Sequence, residues 1–211
     1  MAQQRTSFDV QQHGFKFDNT FENYRVFPPG IAINLAGRCG GMSYSALDYF
    51  FFQVPIPSQR DLPVEGSVLS TYISGRQERS FWDEVDKWVE RSINPAGARN
   101  AEFFNWGLQD SGGGELERLM GEIDAGRPAA LGLFNADDHI THHQVVAVGY
   151  ERTDGESPLS IFICDPNHHG TEKVLMAHPD ELLYYYPDRD PFSDQRWLTY
   201  FVDLNYRVHR P

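Results

Sequence analysis

His143-Gln144-Val145-Val146-Ala147-Val148-Gly149-Tyr150 is followed, eight residues of linker and one Leu later, by Ser160-Ile161-Phe162-Ile163-Cys164-Asp165. Both runs are short, apolar and rich in β-branched residues, and the linker holds an Asp154-Gly155 pair. The segment therefore reads as an antiparallel hairpin. Opposed residues in a hairpin keep a constant index sum, so a turn centred on Asp154 sets His143 opposite Asp165 on one face. Strand alternation turns His142 and Cys164 to the other face. Cys164 is thus expected in the core, and His143 is the histidine that meets a carboxylate.

Working outward, the pattern differs on the two sides of residue 126. Downstream, 128–134 (PAALGLF), 171–177 (TEKVLMA) and 196–206 (RWLTYFVDLNY) predict further strands. Upstream, 40–53 predicts a buried helix ended by Pro55 and Pro57. Residues 79–93 place Phe81, Trp82, Val85, Trp88, Val89 and Ile93 at helical spacing behind a Ser80 N-cap. Residues 94–112 read as a loop with packed aromatics, and 114–125 as a helix with Gly126 at C′. Residues 1–36 read as an extended arm broken by Pro28-Pro29-Gly30. Helices first and strands afterwards predict one α+β domain over 1–211, with N-terminal helices packed against a C-terminal antiparallel β-sheet.

Cys39 stands at the head of the 40–53 helix, flanked by Gly37, Gly40 and Gly41. A helix N-terminus presents unpaired N–H groups and the positive end of the macrodipole, which favours a thiolate over the free thiol with its pKa of about 8.5. The glycines leave room for another backbone or a substrate to approach. A thiolate nucleophile needs a base, and the base an orienting group, which the His143–Asp165 register supplies.

The chain has 211 residues, enough for one core, and ordinary globular composition at 40% hydrophobic and 23% charged. Its net charge of −12 carries no basic patch, which argues against a nucleic-acid partner. No window is apolar enough to span a membrane, and the N-terminal residues lack an apolar signal core. The expectation is a cytoplasmic protein, or one exported without a cleavable signal. Two cysteines are too few for a disulfide scaffold.

Gly37-Arg38-Cys39-Gly40-Gly41-Met42, His143-Gln144-Val145-Val146-Ala147-Val148-Gly149-Tyr150 and Cys164-Asp165-Pro166-Asn167-His168, in that order, resemble the papain-like cysteine peptidase superfamily. Within it the sequence is most similar to the bacteriocin-processing (double-glycine) peptidase-like branch, over roughly 34–167. The resemblance implies a papain-like fold and a catalytic triad of Cys39, His143 and Asp165 acting on a peptide or protein substrate with no cofactor. It also implies an oxyanion hole from the Cys39 N–H and an upstream amide, usually Gln. The nearest amide here is Asn34, which is shorter.

Two other readings stand beside this one. A papain-like domain without activity serves as a binding module. Alternatively, Asp137, Asp138, His139, His142, His143, His168 and His169 form a histidine-rich set that could ligate zinc, although the spacing does not match HExxH. On the first reading no metal is bound, and His139, His168 and His169 are solvated loop residues. Substrate identity and oligomeric state are not encoded in any motif.

Overall fold

The computed structural model describes residues 2–22, 24–27, 31–34, 37–135, 142–153, 159–188 and 196–211, with backbone alone for 2, 24–27 and 31–34. In chain order the elements are β1 (Ala2–Arg5), α1 (Val10–His13), β2 (Tyr24–Phe27), β3 (Ile31–Asn34), α2 (Cys39–Phe51), α3 (Val68–Trp82), α4 (Val85–Ser92), α5 (Asn100–Leu108) and α6 (Glu115–Asp124). Six strands follow: β4 (Ala129–Asn135), β5 (His143–Arg152), β6 (Leu159–Cys164), β7 (Glu172–His178), β8 (Leu183–Tyr185) and β9 (Arg196–Val202).

Strands β4 to β9 each pair antiparallel with the next, and β9 pairs back to β4, so the sheet closes on itself as a six-stranded barrel. This corrects the expectation of a papain-like fold with helices packed against an open sheet. The physical reason lies in residues with no strand signature of their own. The short β8 bridges β7 and β9, and without it the meander would remain open. Strand β1 continues the ladder along β5 where β4 ends, pairing Arg5 with Gly149 just beyond the β4 partner Ala147.

Alternate side chains fill the barrel. Leu131, Leu133, Val145, Ala147, Ile161, Ile163, Leu175 and Tyr184 point inward, joined by Leu116, Leu119 and Ile123 from α6. The outward set of Ala130, Val146, Val148, Phe162 and Cys164 packs against Met42, Ala46 and Leu47 of α2 and against Phe15 and Phe17. Each fully buried aliphatic side chain of this kind contributes about 1.5–3 kcal/mol relative to exposure. Residues 1–36, expected as an extended arm, supply an added strand, a short helix and the β2–β3 pair.

Three local readings change as well. The helix expected over 79–93 is two, α3 and α4, broken at Asp83 and Glu84; the N-cap of α3 is Ser67, whose hydroxyl accepts the Ser70 N–H at 3.3 Å. Ser80 is instead a buried residue inside α3. The aromatic segment expected as loop contains α5, which buries Phe103 and Phe104. The β5–β6 register is also different: Val146 pairs with Cys164, and an extra residue bulges between Ala147 and Gly149. Asp165 therefore continues the ladder toward Val145, two residues from His143 on the same inward-facing register. The turn residue Asp154 lies outside the described residues.

Candidate active site

Helix α2 lies against the outside of the barrel with its first residue, Cys39, at the rim where β5 begins and β6 ends. Two glycines set that approach. A Cβ on Gly40 would lie 1.8 Å from Gln144 Oε1 and 2.1 Å from Ser80 Oγ, and one on Gly41 would lie 2.2 Å from the Ile73 carbonyl oxygen. Helix α2 can sit this close to α3 and β5 only because no side chain intervenes. The contact is sealed by hydrogen bonds. Ser80 Oγ donates to Gln144 Oε1 at 2.8 Å, Ser43 Oγ to the Gln144 carbonyl at 3.1 Å, and the Gly41 N–H to Gln77 Oε1 at 2.8 Å.

His143 is the first residue of β5 and Asp165 the first after β6, so both sit on the same barrel rim. The His143 Nε2 lies 2.7 Å from Asp165 Oδ1, with both side chains buried. Cys39 is near enough to the same imidazole to act on its charge. Burial would lower the basicity of His143, but the Asp165 charge and hydrogen bond, with the Cys39 contact, outweigh it and raise its pKa to about 10. Burial pushes Asp165 the other way; the His143 charge and hydrogen bond, the Asn167 N–H and the Tyr186 hydroxyl together hold it down at about 2. The pair is an imidazolium facing a carboxylate at neutral pH.

The structure thus brings Cys39, His143 and Asp165 together. Asn34 ends β3 opposite Tyr24, and its side chain lies outside the described residues. Cys164 is buried on the outer face, and burial beside Asp165 pushes its thiol up to about 12. Both cysteines are free. His142 turns away from the site, stacked on Phe134 at 4.1 Å and Trp88 at 5.0 Å between ring centroids. His169 bonds Asp18 at 2.7 Å through Nδ1, and His168 lies edge-on to Tyr186. Among the described residues no group of three or more His, Cys, Asp or Glu is arranged to hold a metal ion. Asp137, Asp138 and His139 fall outside them.

Asn19 and Tyr186 were not legible as site residues. Asn19 reaches from the N-terminal segment to both sides of the site: its Oδ1 accepts the Arg38 N–H, its Nδ2 donates to Asn167 Oδ1 at 3.0 Å, and its own N–H donates to the Pro166 carbonyl at 2.9 Å. Gly37 makes room for it, with φ at +82° and a notional Cβ 2.3 Å from Asn19 Nδ2. Tyr186 donates from its hydroxyl to Asp165 Oδ2 at 2.7 Å. The run Tyr184-Tyr185-Tyr186 has no apolar–polar alternation to mark the short strand that delivers it. Arg38 is buried beneath Cys39, donating to Ser70 Oγ at 2.8 Å and paired with Glu65 at 2.6 Å.

No helix among the described residues is long and apolar enough to cross a membrane. No family model, curated protein or solved structure matches the chain.

Proposed function

We propose that this protein is a cysteine hydrolase that cleaves a peptide or other amide bond through a thioester intermediate. The observation that carries the reading is His143, held between Asp165 at 2.7 Å and Cys39 at the start of a helix. His143 beside the sulfur and the helix N-terminus beneath it put a base and an anion-binding backbone next to the nucleophile. Cys39 attacks the carbonyl carbon, and the Cys39 N–H stands at the helix start to receive the oxyanion. His143, whose Nε2 is taken by Asp165, delivers its other ring proton to the leaving amine. It then draws a proton from the water that hydrolyses the thioester. Asp165 fixes the ring and stabilises its charged form.

The order of the three motifs supports kinship with papain-like peptidases in chemistry; the barrel does not enter that argument. The test is alkylation by iodoacetamide, read at each cysteine by peptide mass. Cys39 should be labelled well below pH 8 while Cys164 stays unlabelled in the folded protein, and His143→Ala should move Cys39 labelling to higher pH. Ordinary thiol behaviour at Cys39, unchanged in His143→Ala, would replace this reading by that of a binding module.

A further inference from the structure

We propose that Tyr186 is a positioning residue for the Cys39–His143 pair, acting through the Asp165 carboxylate; the proposal rests on the hydrolase reading above. Asp165 is 1% exposed and has both oxygens engaged. Oδ1 faces His143 Nε2 at 2.7 Å and accepts the Asn167 N–H at 2.8 Å. Oδ2 accepts the Tyr186 hydroxyl at 2.7 Å. The terminal torsion of an aspartate is broad and two-fold, so its backbone position alone does not fix the carboxylate plane. Bonds on Oδ1 alone would leave the plane free to pivot about that oxygen. The Tyr186 bond on Oδ2 is the second point that fixes it, and with it the direction in which the imidazole is held.

The tyrosine is itself well anchored. It is 3% exposed, its ring packs on Trp197 at 4.6 Å between centroids, and its position directly after β8 puts it on the same rim as His143 and Asp165. The charged and titratable groups around this cluster are few. His143 and Cys39 lie on one side, Cys164 follows the outer face, and His168 meets the Tyr186 ring edge-on. Asp188 also acts on Tyr186 but is drawn off by Lys173, whose Nζ lies 2.6 Å from it. Glu172 reaches Cys164 and pairs with Arg5 instead of the triad. None of these replaces the donor on Oδ2. A neutral hydroxyl there has a second effect, since it stabilises the carboxylate and keeps Asp165 charged in mild acid.

The experiment uses Tyr186→Phe, which removes one oxygen and keeps the ring, with Tyr184→Phe as the control. Tyr184 is equally buried, and its hydroxyl donates to the Phe104 carbonyl, away from the triad. Two readouts are followed against pH: the His143 ring resonances by NMR, and the iodoacetamide rate at Cys39. In Tyr186→Phe the low-pH step of the His143 ring, which reports protonation of Asp165, should move up by about one pH unit. The alkylation rate should fall about tenfold at neutral pH. Tyr184→Phe should lose comparable stability and move neither readout. Should Tyr186→Phe fold poorly, 3-fluorotyrosine at position 186 supplies a stronger donor in an intact ring and should move the step downward.

Ring titration and alkylation that coincide with wild type in both altered proteins would overturn the proposal. Failure of the hydrolase reading looks different. Wild-type Cys39 would then alkylate as an ordinary thiol irrespective of His143, whatever Tyr186 does to the ring.

Discussion

Asn19 Oδ1 accepts the backbone N–H of Arg38 at 2.5 Å, tying the residue before the candidate nucleophile to a segment nineteen positions upstream. The same side chain reaches Asn167, whose N–H in turn bonds Asp165. The two halves of the site are therefore set against each other by one amide. Asn19→Ala should slow Cys39 alkylation at neutral pH by about tenfold, equivalent to ~1.4 kcal/mol. Asn19→Asp keeps the acceptor for Arg38 and should fall between. Rates for both variants equal to wild type would show that the bracket does not matter to the sulfur.

The ion pair at the rim gives a pH dependence of stability with a definite sign. His143 has its folded value raised to about 10, so its contribution is complete below the unfolded value near 6.5 and fades as pH rises toward 10. Asp165 has its folded value lowered to about 2, so its contribution is complete above about 4 and is lost in stronger acid. Asp165→Asn should therefore lose most stability relative to wild type between about pH 4 and 6.5, and less at pH 10.5. Urea unfolding at pH 5, 7 and 10.5 measures this, and a loss that does not change with pH would contradict it.

Asp203 behaves in the opposite sense. Burial raises its folded value to about 7, with the Glu84 charge acting in the same direction, although Tyr44 donates its hydroxyl to Asp203 Oδ2. Its contribution is present in acid and is lost as pH climbs from about 4 through 7. Asp203→Asn should accordingly gain on wild type as pH rises from 5 to 8.5. Melting temperatures across that range provide the measurement; a difference that stays constant would remove Asp203 from the account.

Packing at α2 makes a further demand. With the Ile73 carbonyl oxygen 2.2 Å from a notional Cβ, Gly41→Ala must push α2 and α3 apart. Overpacking of this kind costs about 1–3 kcal/mol. Chemical denaturation should show that loss together with slower Cys39 alkylation, because Cys39 rides on the same helix. Wild-type stability in Gly41→Ala would mean that the helices have slack.

Asp48 is the buried acceptor that fastens the C-terminal tail. It pairs with Arg76 at 2.7 Å and accepts from Tyr72 at 2.8 Å, Tyr206 at 2.7 Å and the His209 N–H at 2.8 Å. Asp48→Ala strands the Arg76 charge and should cost about 3–5 kcal/mol. Retention of more than half the wild-type unfolding free energy, with the tail still protected from carboxypeptidase, would count against this role.

The parts of the molecule legible in sequence were those with local, periodic signals. The strand runs at 129–135, 143–152, 159–164, 172–178 and 196–202 are short and predominantly apolar, with β-branched residues densest in the second and third, and α2 and α6 carry helical spacing. Closure of the barrel was not legible, because it depends on a three-residue β8 and on β9 meeting β4, and neither has a local signature. The hairpin index sum gave the right shared face for His143 and Asp165 but the wrong partners: Cys164 pairs with Val146, two positions further along β5 than a turn centred on Asp154 would set, and the bulge after Ala147 is what restores the shared face. The aromatic run before α6 was misread because Asn-Pro and several glycines mask a helix whose Phe103 and Phe104 are held by tertiary packing. Asn19 and Tyr186 were invisible for a related reason. Each bonds a partner that only the closed fold brings near.

Barrel closure also orders events in time. The His143–Asp165 contact spans 22 residues within one hairpin and can form as soon as that hairpin emerges. Cys39 lies some hundred positions before His143, and Tyr186 joins only after β7 and β8 are laid down. Contacts of such long range are made late, after the loop-closure entropy has been met. A nascent or partly unfolded chain would thus carry an ordinary thiol, and reactivity at Cys39 would report that the whole meander has closed.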